Sequence, residues 1–104
     1  MQRILSYPEA IKEAIVQEMT QNPSVIVLGQ GVDDPKGILG TTKGLVDKFG
    51  SERVFDTPLA EDGMTGVAIG AALAGLRPIH VHIRMDFLLL AMNQLINMAA
   101  KMRY

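Results

Sequence analysis

The sequence predicts an α/β fold in which a parallel sheet carries helices on both of its faces. Segments whose apolar residues recur at helical spacing alternate along the 104 residues with short runs rich in Val and Ile. The first such run, residues 25–28, is apolar at every position, as in strands that are buried on both faces. Because parallel strands are joined through crossover helices, this alternation indicates βαβ units within at most one domain.

Local signals indicate the first helix and the first strand. Ser6 and Glu9 have the spacing of a capping box, in which each side chain caps the backbone N–H of the other residue. The amphipathic helix that follows should end near residue 22, just before a proline. Gly29 closes the first strand, and residues 30–40 are predicted to form a loop.

Three further helices and two further strands complete the pattern. Their predicted bounds are 41–49 for a short helix, 53–55 for a short strand, 62–74 for a Gly- and Ala-rich helix, 78–83 for the third strand and 88–102 for the last helix. The Gly-rich helix should lie very close to other backbone, since each glycine inside it costs about 1 kcal/mol relative to Ala. Its glycines are Gly63, Gly66 and Gly70. The last helix is apolar around most of its circumference and therefore needs cover on more than one side.

Composition argues against several classes of function. The formal charge of −1, with basic residues scattered along the chain, argues against a nucleic-acid partner or an anionic membrane surface. There is no Cys, so disulfides and thiolate metal sites are ruled out. The N-terminus lacks the apolar segment of a secretory signal, and no apolar stretch is long enough to span a bilayer. We expect a soluble cytoplasmic protein.

A candidate catalytic residue follows the second strand. The apolar run breaks at Pro58, and Glu61 comes next, at the start of the Gly-rich helix. In open α/β sheets, ligands bind in the crevice beyond the carboxyl ends of the strands, so this position suits a residue that takes part in chemistry. Acidic residues are also common in the first turn of a helix, where they complement the helix dipole. Position alone leaves both interpretations open.

Two histidines lie on the third predicted strand. His80 and His82 are two residues apart, so both side chains should face the same side of the sheet. No carboxylate or Cys partner is evident nearby, and we predict no metal site. His82 is closer to the carboxyl end of the strand and is a candidate substrate-pocket residue. A dinucleotide-binding motif at residues 29–31 is excluded, because Asp34 stands where the third glycine is required.

Several longer motifs resemble one enzyme family. They are DTPLAE (56–61), GAALAGLRP (70–78), NQ (93–94) and INMAAK (96–101), together with YPEAI (7–11) and VLGQGV (27–32). On these residues the sequence resembles the beta subunits of thiamine-diphosphate-dependent 2-oxo acid dehydrogenases, the decarboxylating components of the pyruvate and branched-chain complexes. The resemblance covers nearly the whole chain.

The resemblance implies a thiamine-diphosphate-binding, pyrimidine-domain fold, of which residues 1–104 would be the incomplete N-terminal portion. It implies that Glu61 hydrogen-bonds a ring nitrogen of the cofactor's aminopyrimidine and activates the cofactor for oxidative decarboxylation of pyruvate or a branched-chain 2-oxo acid. Phe87 would stack on the same ring. By the same resemblance, the magnesium ion and the diphosphate would be held mainly by a partner alpha subunit, which carries the Gly-Asp-Gly type motif in the family, and the enzyme would be an oligomer. This sequence contains no such motif.

Some positions depart from the family pattern and leave alternatives open. Gln30 and Gly31 stand where the family commonly has two acidic residues, and residues 84–86 replace a more apolar run, so the choice of 2-oxo acid stays open. The pyrimidine domain of a transketolase or of a deoxyxylulose-phosphate synthase shares the Glu and the fold. A non-catalytic assembly module that pairs with an alpha subunit is a further alternative. The isolated chain is expected to be inactive.

Overall fold

The computed structural model describes residues 2–102. Helices and strands alternate along this range, as the sequence predicts. The elements are α1 Tyr7–Gln21, β1 Val25–Gly29, α2 Leu45–Phe49, β2 Val54–Phe55, α3 Glu61–Leu73, β3 Arg77–Val81 and α4 Met85–Leu88, followed by a 3-10 turn at Leu89–Ala91 and a π-helical segment at Asn93–Ala99. Within the described range, no helix combines the length and the apolar character needed to cross a membrane.

The strands form one parallel sheet in the order β2-β1-β3. In the centre, Val27 of β1 pairs with Val54 of β2 on one side and with Ile79 of β3 on the other. The side chain of Val27 packs into the core shared with α1 and α2, whereas Ile26 and Leu28 pack with α3 on the opposite face. The predicted α/β fold, with a parallel sheet and helices on both faces, is therefore confirmed.

The predicted capping box fixes the start of α1. The Ser6 hydroxyl accepts a hydrogen bond from the Glu9 N–H at 3.4 Å, and the Glu9 carboxylate accepts one from the Ser6 N–H at 2.8 Å. The backbone hydrogen bond, and then the hydroxyl, lower the pKa of Glu9 below its ordinary value. Two N–H groups at the start of α1, those of Ser6 and Glu9, are thus paired locally.

Two predicted bounds are corrected by the structure. The second helix begins at Leu45 instead of residue 41, because Gly44 has a left-handed φ of +77° and interrupts the helical backbone before it. The third strand spans Arg77–Val81 instead of 78–83. Its neighbour β1 ends at Gly29, which pairs with Val81, so the chain beyond Val81 has no strand to pair with.

The last helix also differs from its prediction. It begins at Met85, three residues before the predicted start, and changes from α-helix to a 3-10 turn and then to π-helix. The Ala100 N–H donates to the Leu95 carbonyl at 3.0 Å, which is the wide hydrogen bond of a π-helix. A run that is apolar at most positions has no sharp period, so its spacing could not reveal the change of pitch. Together with α3, this segment exposes what we call the apolar surface, formed by Val67, Leu73, Leu89, Leu90, Ile96, Met98 and Met102.

The prediction that the glycines of α3 mark a close approach to other backbone is wrong. A Cβ placed on Gly66 would lie 3.3 Å from the Oε1 of Gln94, so this glycine does allow a close contact, but with a side chain. A Cβ on Gly63 would meet only the Cβ of Ala60, at 3.9 Å, and a Cβ on Gly70 would meet nothing within 4 Å among the described residues. The three glycines therefore do not mark an approach of α3 to other backbone in the structure.

Candidate active site

A crevice opens at the carboxyl edge of the sheet. The residues that line it come from the ends of all the described strands: Gln30 after β1, Thr57, Pro58, Ala60, Glu61 and Met64 after β2, and His80, Val81, His82, Ile83 and Phe87 from the end of β3 onward. This is where ligands bind in open parallel sheets. The structure therefore brings together Glu61, His82 and Phe87, which the sequence had singled out separately.

Glu61 reaches the crevice through a tight turn after β2. The Ala60 N–H donates to the Pro58 carbonyl at 2.9 Å, and the Ala60 carbonyl then accepts the first helical hydrogen bond from Met64 at 2.8 Å. Glu61 is the first residue of α3 and is partly buried. In this position its carboxylate lies at the positive end of the helix dipole and also lines the crevice. The two interpretations of Glu61 are compatible.

Two contacts fix the loops at the crevice. The Asp56 carboxylate accepts a hydrogen bond from the Gly31 N–H at 2.7 Å, which joins the loop after β1 to the turn after β2. Gly29 has a φ of +152°, and a Cβ on it would overlap the carbonyl oxygen of Val81. A glycine at this position therefore lets β1 and β3 lie side by side where the crevice begins.

His80 and His82 lie side by side, as the two-residue spacing predicts. Their ring centroids are 4.2 Å apart, with 42° between the ring planes. The Nδ1 atom of His80 lies 3.3 Å from the hydroxyl of Thr65, a buried residue of α3. Burial lowers the pKa of His80 below its ordinary 6.5, and the neighbouring His82 lowers it further. His80 is therefore neutral at pH 7.

Phe87 lies in the first turn of the last helix, on the rim of the crevice. Its side chain is partly exposed, and the guanidinium carbon of Arg84 is 5.3 Å from its ring centroid. Arg84 also pairs with Asp86 at 3.2 Å, and both side chains are largely exposed. The aromatic ring is thus accessible from the crevice, while the nearby charges neutralise each other outside it.

Three residues near the crevice were not singled out from the sequence as site residues. Thr65 contacts His80, Gln30 lines the crevice, and Asp62 is adjacent to Glu61 in α3. Among the described residues, the buried Oδ1 atom of Asp62 has no hydrogen-bond partner, and its Oδ2 is 3.5 Å from the Gln94 amide. Helical spacing could have revealed Thr65, because it lies one turn after Glu61.

The donor set of the site is poor in metal ligands. Within residues 2–102, no group of three or more His, Cys, Asp or Glu side chains is arranged to hold a metal ion. The His80 and His82 rings lie together without a third ligand of that kind in the described range. The site offers a carboxylate, imidazoles, an amide and an aromatic ring.

Comparison with known proteins gives the family. Residues 4–104 match the family described as transketolase, pyrimidine binding domain. The chain belongs to this family. The match covers nearly all of the sequence and agrees with the parallel sheet and its helices, so the pyrimidine-domain fold implied by the sequence motifs is confirmed.

Individual relatives of this pyrimidine-binding domain are subunits of larger enzymes. The chain is 48% identical over 96 residues to the pyruvate dehydrogenase E1 component subunit beta of Chaetosphaeridium globosum. It is 48% identical over 101 residues to the 2-oxoisovalerate dehydrogenase subunit beta of Bacillus subtilis, and 49% identical over 114 aligned positions to the acetoin:2,6-dichlorophenolindophenol oxidoreductase subunit beta of Cupriavidus necator. These alignments cover 92%, 97% and 100% of the chain but only 29%, 31% and 33% of the respective relatives. The chain thus spans about a third of their length.

Proposed function

We propose that this chain forms part of the beta subunit of a thiamine-diphosphate-dependent 2-oxo acid dehydrogenase, an oxidoreductase that acts on pyruvate or a branched-chain 2-oxo acid. The observation that carries the proposal is the position of Glu61 at the carboxyl edge of the sheet, in the same crevice as Phe87. The family match and the names of the relatives support it. In this proposal, residues 1–104 are the N-terminal portion of the pyrimidine-binding domain.

The residues of the crevice fit the aminopyrimidine half of thiamine diphosphate. This group is a flat ring that needs one hydrogen-bonding carboxyl at a ring nitrogen and apolar or aromatic surface against its faces. Glu61 is the one carboxylate among the described residues that line the crevice, and Phe87 supplies an aromatic ring. Met64, Val81 and Ile83 provide apolar surface beside them. The residues that line the crevice therefore match the ring in polarity.

Each of these residues has a separate task in the proposed mechanism. When bound, thiamine diphosphate supplies the carbon nucleophile that attacks the 2-oxo acid. Glu61 shares a proton with the pyrimidine nitrogen, and the apolar neighbours keep water from competing for that proton. Phe87 holds the plane of the ring, and such a contact contributes roughly 0.5–1.5 kcal/mol beyond burial. The chain thus orients the cofactor and holds one proton at a defined atom.

The partner in this proposal is an alpha subunit that holds the magnesium ion and the diphosphate. The sequence contains no Gly-Asp-Gly type motif that would bind them, so the isolated chain would contact only half of the cofactor. The apolar surface on α3 and the last helix offers contact area for another subunit. The same surface favours a second candidate function, in which the chain is an assembly module without a catalytic role.

The two candidates differ in how they depend on Glu61. In the enzyme assembled with an alpha subunit, Glu61→Gln keeps the size of the side chain but cannot share a proton in the same way. We expect proton–deuterium exchange at the thiazolium carbon to slow by roughly 100-fold or more, with little change in cofactor affinity. Asp62→Asn is the matched control, because it removes the adjacent carboxylate, which is absent from the crevice lining.

Nuclear magnetic resonance of the cofactor measures this exchange, and thermal shift with thiamine diphosphate and magnesium measures binding. Unchanged exchange in Glu61→Gln would refute the catalytic role. Stabilisation of the chain by an alpha subunit, without any faster exchange in the wild type, would favour the assembly module.

A further inference from the structure

The crevice holds two imidazoles in contact, tilted relative to each other, that the proposed role of Glu61 does not use. His80 is in β3 and His82 lies just beyond it, and their rings are 4.2 Å apart. Both rings line the crevice together with Glu61 and Phe87. The ring of His82 thus rests against the ring of His80, so the position of one sets the position of the other.

Thr65 holds the inner ring of this pair. It is a buried residue of α3, and its hydroxyl is 3.3 Å from the Nδ1 of His80. A neutral imidazole carries its proton on one nitrogen and accepts a hydrogen bond at the other. If the hydroxyl donates to Nδ1, the proton of His80 stays on Nε2. In that arrangement Thr65 sets both the orientation and the tautomer of His80.

Charged groups lie on both sides of the pair. From α3, Glu61 lines the same crevice and Asp62 follows it, so negative charge lies on that side. From the last helix, Arg84 and Asp86 pair with each other at 3.2 Å and are largely exposed. Burial keeps the pKa of His80 low, and two imidazoles in contact disfavour a second proton. Charge on both rings at once is therefore disfavoured.

We propose that His82 binds the carboxylate of a small anionic ligand in the crevice, with its ring set in place by His80 and Thr65. The proposal rests on the proposed function, in which that ligand is the 2-oxo acid. A protonated imidazole donates a charge-assisted hydrogen bond to a carboxylate oxygen, whereas the carboxylate of Glu61 repels one. His82 contacts the ligand directly, and His80 and Thr65 are positioning residues.

Imidazole resonances of the ¹⁵N-labelled 104-residue chain test this directly, without cofactor or partner subunit. Pyruvate is the probe, and methyl pyruvate is its uncharged counterpart. We expect pyruvate to shift the His82 ring resonances in a saturable manner, while methyl pyruvate does not. His82→Asn should weaken pyruvate binding about tenfold, the loss expected for one hydrogen bond to a charged group.

The positioning role has its own pair of variants. Thr65→Val keeps the shape of the side chain but removes the hydroxyl, so His80 should show a mixture of tautomers and pyruvate should bind about fivefold more weakly. Thr65→Ser restores the hydroxyl and should restore both properties. Wild-type binding and an unchanged His80 tautomer in Thr65→Val would overturn the positioning role.

The wild-type titration decides the main point, whether or not the variants fold. Absence of a His82 shift with pyruvate, or an equal shift with methyl pyruvate, would overturn the carboxylate site. Since this titration does not involve Glu61 or the cofactor, a failure of the proposed catalysis in the exchange experiment is a separate result.

Discussion

Arg53 is expected to be a major source of stability at the edge of the sheet opposite the crevice. It precedes β2, and its guanidinium donates to the carbonyl oxygens of Met19 at 2.8 Å, Asn22 at 3.0 Å and Val25 at 3.0 Å. These carbonyls belong to the last turn of α1, the residue after it and the first residue of β1. The guanidinium carbon also lies 5.1 Å from the ring centroid of Phe49 in α2. One side chain thus ties together three elements that are distant in sequence.

The perturbation is Arg53→Met, which keeps an unbranched apolar stem but removes every donor. The site is partly buried, so the carbonyls recover some hydration, and each lost hydrogen bond is worth about 1 kcal/mol net. The contact with the Phe49 ring adds about 0.5–1 kcal/mol. We therefore expect the free energy of unfolding to fall by about 3 kcal/mol, a large share of the stability of a domain of this size.

Urea unfolding followed by far-ultraviolet circular dichroism measures this loss. The matched control is Arg77→Met, because Arg77 is another arginine at the amino end of a strand, but its side chain is exposed. We expect less than about 0.5 kcal/mol for the control. A loss in Arg53→Met below about 1 kcal/mol, or one equal to that of the control, would show that the three carbonyls do not depend on the guanidinium.

Three further predictions follow from contacts described above. The lowered pKa of Glu9 means that the capping box contributes stability above about pH 4.5 and loses it as the pH falls through the lowered value. Glu9→Gln, which removes the titrating carboxylate, should therefore flatten the acid limb of a thermal melting curve measured against pH. Gly29→Ala should cost more than about 3 kcal/mol of unfolding free energy by urea unfolding, because its Cβ would overlap the Val81 carbonyl. Gly50→Ala should cost about 1 kcal/mol, because Gly50 has a φ of +86° but no described residue within 4 Å of the new Cβ. The apolar surface should make the chain self-associate, and a strictly monomeric 11.3 kDa species at high concentration by analytical ultracentrifugation would contradict this.

Features that depend on neighbours in sequence were predictable. The capping box of Ser6 and Glu9 is set within four residues, and the structure contains both of its hydrogen bonds. The strand at β1 was recognisable because all its positions are apolar, which only a doubly covered strand tolerates. The placement of Glu61 followed from the turn at Pro58 and the rule that parallel strands end at a common edge.

Features that depend on contacts between distant segments were not predictable. The Asp56 to Gly31 hydrogen bond spans 25 residues, and the Thr65 to His80 contact joins a helix to a strand. The spacing of neither pair matches a helical or strand period, so the sequence does not indicate that the two residues are in contact. The glycines of α3 led to a wrong prediction for the same reason. Their number suggested that α3 lies close to other backbone, but that distance depends on which distant segment packs against the helix. Gly66 meets the Gln94 side chain, which lies 28 positions further along the chain.

The two edges of the sheet have different roles, and this follows from the direction of the strands. At the amino edge, Arg53 joins α1 and β1 through backbone carbonyls, so its contacts determine stability and involve no crevice residue. At the carboxyl edge, the strands end in short loops, and the side chains that follow them converge on one crevice. If this separation is correct, Arg53→Met should lower the free energy of unfolding and yet leave the response of His82 to pyruvate unchanged in the molecules that remain folded. A weakened response would mean that the packing around β1 couples the two edges, because β1 is the strand that both Arg53 and the crevice loops share.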